Sequence, residues 1–240
     1  MSLADARILW QMLRGEPRTG SHAERLAGFY APQAEHYDRF RERMLHGRRE
    51  LIEALATAPG ETLVELGAGT GRNLEFLGDR LAHLDQVYLV DLCAPLLARA
   101  RARFRDNPRV HAVEADATQW RAPAPVDLVL CAYSLTMIPD WFAAIDNAHA
   151  MLAPGGRIGV VDFYVSRAHP APGRVRHRGV TRAAWPLWFG HDGVHPSADH
   201  LPYLERRFEP VHVSEHSGSL AWLPGVRVPH YRFIGRKRPG

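Results

Sequence analysis

The chain is short of the groups that staple or anchor a protein. It has two cysteines, Cys93 and Cys131, in 240 residues. Both sit in apolar, strand-like surroundings, so buried free thiols are expected instead of a bridge, and a reducing cytoplasm suits them. No run approaches the ~20 apolar residues of a membrane span. The N-terminal stretch carries no signal-peptide h-region. No repeat or low-complexity tract is present. The charge balance is basic, +4 with a sequence pI of about 9.4. No RNA- or DNA-binding motif accompanies it, so nucleic acid is not expected as a partner. "HDGVHPSADH" gathers His191, Asp192, His195, Asp199 and His200. Their spacing fits no known ligand pattern closely, and a capped polar loop is expected there rather than a metal.

What is present is an ordinary globular composition, 46% hydrophobic and 23% charged, able to bury a core without staples. The first ~60 residues read as helices: an amphipathic stretch over 3–13, then a helical region over 24–58 broken near Pro32. "APGE" ends it in a turn. Short runs rich in Val, Ile and Leu then alternate with helical patterns. Strands are expected at 62–66, 86–92, 109–116, 125–135 and 156–164, and helices at 73–81, 94–104 and 140–152. That alternation specifies a parallel sheet covered on both faces. A Pro- and Arg-rich insertion near 165–197 follows, then a helix at 197–208 and two closing strands as an antiparallel hairpin. The reading is a helical N-terminal cap or lid over 1–58 and an α/β core over 59–240.

"VELGAGTGRN" (64–73) is the informative stretch. Its glycines, Gly67, Gly69 and Gly71, follow a strand and open a helix, so they form a ligand turn at the carboxyl edge of the sheet. A dinucleotide fingerprint needs glycine at 72, where Arg72 stands. Glu65, two residues before Gly67, repels a pyrophosphate but attracts a cation. Asp91 closes the next strand and can hold both ribose hydroxyls. Asp116 closes the third and can accept from an exocyclic amine. Together they describe a cationic nucleoside without phosphate.

This ordered set resembles the class I S-adenosylmethionine-dependent methyltransferases, over roughly residues 60–164. "VELGAGTGRN", "VYLVDL" and "VEADAT" look like their first three motifs, and "VDLVLCAYSLTMIPDWFAAIDNAHAMLAPGGRIGVVDF" like their fourth strand, helix and fifth strand. The resemblance implies a Rossmann-like sandwich with a mostly parallel seven-stranded sheet. It implies S-adenosylmethionine as cofactor and S-adenosylhomocysteine as product. It places Glu65, Gly67, Ala68, Gly69, Thr70, Gly71 and Asn73 at the methionine end, and Asp91 on the ribose. Leu92 and Ala117 sandwich the adenine, Asp116 reads its edge, and Cys131 and Ser134 line the sulfonium. Tyr37 on the cap and Arg48 in "HGRR" are further expected contacts, Arg48 to a carboxylate of cofactor or acceptor.

The ends, "FYAPQAEHYDRFRERMLHGRRELIEAL" and the segment from "WPLWFGHDG" to "RFIGRK", look like the methyltransferase of bacterial betaine-lipid synthesis. That resemblance implies three N-methylations of diacylglyceryl homoserine. Phosphatidylethanolamine or a soluble amine are the alternative acceptors, and a non-catalytic cofactor-binding subunit the alternative of another class. An amine must be neutral to attack, and aromatic faces favour methylated ammonium. Tyr30, Tyr37, Tyr133, Asp162 and His191 are the candidates near the transferred methyl. The insertion pairs Arg174, Arg176, Arg178 and Arg182 with Trp185, Trp188 and Phe189, a composition that suits an anionic membrane surface. A lipid headgroup, a homoserine-lipid synthase and the inner face of the membrane are the partners and place this reading expects.

Overall fold

In the computed structural model, residues 15, 17, 19–33, 38, 41–220 and 223–238 are described. The expected helix over 3–13 lies outside them, as does Tyr37. One seven-stranded sheet organises the chain, in the order β3-β2-β1-β4-β5-β7-β6. Its strands are β1 (Leu63–Leu66), β2 (Val87–Asp91), β3 (Val110–Glu114), β4 (Val126–Ala132), β5 (Leu152–Phe163), β6 (Glu209–Leu220) and β7 (Leu223–Arg236). The pairs among β1 to β5 are parallel, and β7 runs antiparallel to both β5 and β6. The order reverses at β1, between β2 and β4. Ligands of open α/β sheets bind outside the carboxyl ends at such a reversal.

The helices are α1 (His22–Tyr30), α2 (Arg48–Leu55), α3 (Ala94–Arg103), α4 (Trp141–Met151), α5 (Gly179–Gly190) and α6 (His200–Arg207). Serine at 21 and glutamate at 24 form a capping box that starts α1. Leu51, Ile52 and Leu55 turn one face of α2 onto the sheet, where they pack with Leu63, Leu128 and Val161. The other face is covered by α4 and α6, through Ala144, Ile145, Ala148, Leu201 and Leu204. Because both faces are covered, β4 is buried almost along its whole length.

Two local expectations differ from what forms. Residues 72–83 make 3-10 turns in place of one α-helix, with a kink at Gly78 (φ 56°, ψ −135°) that only glycine accommodates well. The strand expected at 156–164 begins earlier, at Leu152, and takes in "APGG". In this strand, β5, the Gly155 N–H donates to Lys237 O and Leu152 pairs with Val126. The insertion carries one helix, α5.

Candidate active site

Backbone geometry at the end of β1 prepares the site. Gly67 and Ala68 donate their N–H groups to Val90 O, which folds the loop back over β2. Gly67 has φ 73°, and a Cβ there would lie 2.3 Å from Ser134 Cβ. Glycine is therefore required both by the dihedral and by the approach of the loop after β4. A cavity of about 260 Å³ lies against this turn. Its walls come from strand ends: Gly67 and Gly69 after β1, Asp91, Leu92 and Cys93 after β2, Asp116 and Ala117 after β3, and Tyr133 and Ser134 after β4. His22, Leu26 and Tyr30 of α1 close it from the N-terminal side.

The acids are arranged by their hydrogen bonds. Asp91 accepts from Gly69 N at 2.7 Å and from Cys93 N at 2.7 Å, one bond on each oxygen. Burial pushes its carboxyl above the usual range, while the N–H bonds from Cys93 and Gly69 oppose that shift. Each oxygen keeps a further lone pair for a diol. Asp116 receives both Thr118 N and Thr118 Oγ1 on Oδ1, at 2.8 Å each, which leaves Oδ2 for another donor.

Glu65 works from beneath the loop and does not line the cavity. It is fully buried. One oxygen accepts from Asn73 Nδ2 at 2.6 Å, and the other, Oε2, has no partner among the described residues. Burial raises its pKa to about 8, opposed by the Asn73 bond and the charge of Arg48. Arg48 in turn donates to Asn73 Oδ1 at 3.1 Å. Arg48 and Asn73 thus set the Glu65 carboxyl in place and lie outside the cavity wall.

Several expected residues take other places. The Thr70 hydroxyl donates to Asp38 Oδ1 at 2.5 Å, and Arg103 reaches Asp38 Oδ2 at 2.5 Å and Glu75 at 2.8 Å. Arg72, where a dinucleotide fingerprint would have glycine, pairs with Glu42 at 2.5 Å. Thr70 therefore latches the N-terminal region to the glycine turn. Ala68 and Gly71 shape that turn, and neither lines the cavity. Cys131 is fully buried in β4 on the face covered by α4, so it lines nothing, and burial drives its thiol far up. Ser134, three residues on, does reach the cavity.

Of the candidates near the methyl, Tyr30 and Tyr133 line the cavity. Tyr133 sits at φ 57°, a left-handed backbone that an aromatic residue adopts at a cost on the order of 1 kcal/mol or more. Its hydroxyl donates to His46 O at 2.7 Å, and burial pushes its pKa well above that of free tyrosine. Asp162 lies outside the cavity. It is fully buried and accepts from Thr136 Oγ1 (2.7 Å), Thr136 N (3.2 Å) and Phe163 N (2.8 Å), with its pKa raised to about 7 by burial. Its work is to tie the loop after β4 to β5. His191 caps the end of α5 with its ring against Gly15, also away from the cavity. Asp192 beside it is buried, and burial lifts it to about 6. No group of three or more metal-ligating side chains occurs among the described residues.

Sequence reasoning passed over His22, Leu26, Leu96 and the run Met137 to Asp140, all of which line the cavity. The "SHAE" capping box was the available signal for α1.

Residues 63–156 match the family described as a methyltransferase domain. Trans-aconitate 2-methyltransferase of Azoarcus sp. (strain BH72) is 26% identical over 209 residues, 82% of this chain and 80% of that protein. The ubiquinone/menaquinone biosynthesis C-methyltransferase UbiE of Shewanella sp. (strain W3-18-1) is 28% identical over 59% of this chain, which spans 60% of its length. Among solved structures, a Haemonchus contortus phosphoethanolamine N-methyltransferase in complex with phosphomonomethylethanolamine and S-adenosylhomocysteine superposes with a TM-score of 0.68. It is 14% identical, covering 93% of this chain and 61% of its own.

Proposed function

We propose that the chain is a class I S-adenosylmethionine-dependent methyltransferase whose acceptor is the amine of a lipid headgroup, diacylglyceryl homoserine being the reading its ends support. The site fits the cofactor on two counts. Glu65 Oε2 is an orphaned buried acceptor under the glycine turn, suited to an ammonium. The cradle at Gly67 is one that a Cβ would fill. Gly67 and Gly69 would take the methionine end, Asp91 the ribose, and Leu92, Ala117 and Asp116 the adenine. When bound, the cofactor supplies an electrophilic methyl on a sulfonium.

The protein's own part is positioning and exclusion of water. Tyr30, Tyr133, Met137 and Ile138 present faces of carbon and sulfur on the acceptor side. Aromatic faces attract the methylated ammonium that accumulates through successive transfers. The Tyr133 hydroxyl and Asp162 are both committed to other bonds. The acceptor is therefore expected to bind as the neutral amine and to lose its proton to solvent.

One observation carries the lipid reading. A continuous row of rings joins the cavity wall to a greasy surface. Tyr133 packs on Phe163 with centroids 4.6 Å apart, Phe163 on Phe189 at 4.9 Å, and Phe189 on Trp185 at 5.5 Å. The last two belong to α5, whose outer side exposes Val180, Leu187 and Trp188. Exposed Arg176 and Arg178 precede it. Arg174 is instead paired with Glu205. Apolar side chains rimmed by arginine suit an interfacial helix on an anionic leaflet. No helix among the described residues is long and apolar enough to cross a membrane. The exposed apolar side chains and arginines of α5 favour a peripheral place at the inner face, beside the synthase that makes its lipid.

Mass spectrometry of lipids from cells expressing the chain with a homoserine-lipid synthase tests this. Products heavier by one, two and three methyl groups are expected. Unmodified lipid beside active turnover of a soluble amine or acid would overturn the acceptor.

A further inference from the structure

A second cavity, of about 360 Å³, opens beside the first and has no part in the cofactor site. Tyr133 divides them: it lines the first, and its hydroxyl donates to the backbone of His46, which lines the second. The second cavity collects His46, His216, His230, Arg227 and Arg232 around one carboxylate, Glu50.

The fold builds this cluster deliberately. His230 pairs with Phe163 at the end of β5 and with His216 across the β6–β7 hairpin. The rings of His216 and His230 stack at 5.5 Å, and His46 lies 6.1 Å from His230. Gly218 admits the His46 ring, since a Cβ there would lie 2.1 Å from His46 Cδ2. His46 Nε2 then donates to Ser219 O at 2.8 Å, which fixes the ring. Arg232, two residues along β7 on the same side as His230, donates to His216 Nε2 at 2.8 Å.

The polar accounting is incomplete without a ligand. His230 is only 5% exposed and its Nδ1 has no partner. Arg232 Nε is likewise buried without one. Unpaired buried nitrogens beside two guanidiniums cost free energy that an anion would recover, the imidazole taking up a proton as the anion binds. We infer that this second cavity binds the anionic group, a carboxylate or phosphate, of the acceptor molecule. For the acceptor to supply that anion, the inference rests on the amine-headgroup reading above. Tyr133 borders both cavities, so an anion held in the second lies next to an acceptor held in the first.

Proton linkage follows the same geometry. Burial, with His216, His46 and Arg232 nearby, holds His230 down at about 4. Burial first and Arg232 second also lower His216, against Glu50, while His212 adds to the lowering. His230 is neutral near pH 7 without a ligand, His216 is shifted in the same direction, and an anion favours the protonated form of each. Affinity for the anion therefore rises as pH falls.

The test is a titration of the full chain with inorganic phosphate and, separately, with acetate, following histidine ring resonances by NMR at pH 6 and pH 8. The resonances of His216 and His230 are expected to move, more readily at pH 6. Arg232→Met is expected to weaken the response about tenfold, as for a lost charge-assisted pair. The same loss, smaller, is expected for Arg227→Gln at the exposed rim, which stands in should Arg232→Met fold poorly. Stronger response to phosphate assigns a phosphoryl headgroup, and stronger response to acetate a carboxylate one. No response to either anion, or a response indifferent to both substitutions, overturns the site. Calorimetry with S-adenosylmethionine separates the failures. Intact cofactor affinity without anion response removes this cavity alone. Anion response without lipid methylation removes the lipid acceptor and keeps the cavity.

Discussion

The ends of β1 and β5 each carry a fully buried carboxylate, and the two differ in how far their hydrogen bonds are filled. Glu65 and Asp162 are both forced upward in pKa by burial, to about 8 and about 7. Asp162 is saturated by the Thr136 hydroxyl and two backbone N–H groups. Glu65 has one partner, Asn73, and one idle oxygen. Burial and a perturbed pKa do not tell a binding group from a brace. What separates the two is the unfilled valence, since only an incomplete group would gain from a ligand.

Replacing these acids breaks the comparison in order of size. Asp162→Ala leaves a buried hydroxyl and two N–H groups without acceptors. It is expected to cost about 2–4 kcal/mol of stability in urea denaturation. The folded fraction should bind S-adenosylmethionine near normally, and a collapse of affinity would make Asp162 more than a brace. Asp91→Ala is expected to weaken cofactor binding by about 1–3 kcal/mol with little loss of stability. Unchanged calorimetric affinity would remove the ribose assignment.

Glu65→Gln sharpens the contrast through pH. The folded pKa of Glu65, about 8, lies above its unfolded value of 4.5. The folded state then holds the extra proton between those values, so stability falls as pH rises through that window and levels off above it. Glutamine removes this contribution. The variant should lose less stability than the native chain between pH 5 and pH 8, by on the order of 2 kcal/mol. Meanwhile it should bind the cofactor more weakly. Parallel pH profiles for both chains would contradict the buried, protonated Glu65.

The smallest effect belongs to the latch. Asp38→Asn weakens the pair with Arg103, whose partners are about a quarter exposed. A loss of at most about 1 kcal/mol in cofactor affinity is expected, shrinking with added salt. Salt-independent affinity would show that the latch does not bear on binding.

How far the sequence could be read follows from the same geometry. Asp91 and Asp116 were legible because a strand end is marked by a change of pattern, and parallel strands deliver successive ends to one edge. Cys131 was misplaced for a physical reason. A strand buried on both faces shows no alternation, so the sequence does not say which residue faces the ligand. His191 and Asp162 were chosen for their chemistry, and their neighbours, Gly15 and Thr136, are remote in sequence. The histidine–arginine cavity was invisible for the same cause. Positions 46, 216 and 230 meet only after β7 has paired with both β5 and β6.

The sheet order also leaves β6 on the outside, a twelve-residue strand with one side unpaired. Such an edge invites a neighbouring molecule to add a strand and begin a fibril. The chain guards it with Glu209, Pro210, His212 and His216, all exposed, and with irregular pairing at both ends of the strand. Proline offers no N–H, the Glu209 carboxylate resists stacking of like copies, and a broken register gives no flat template. The hairpin that brings the histidines together is thus also the part of the molecule that most needs protection from its own copies.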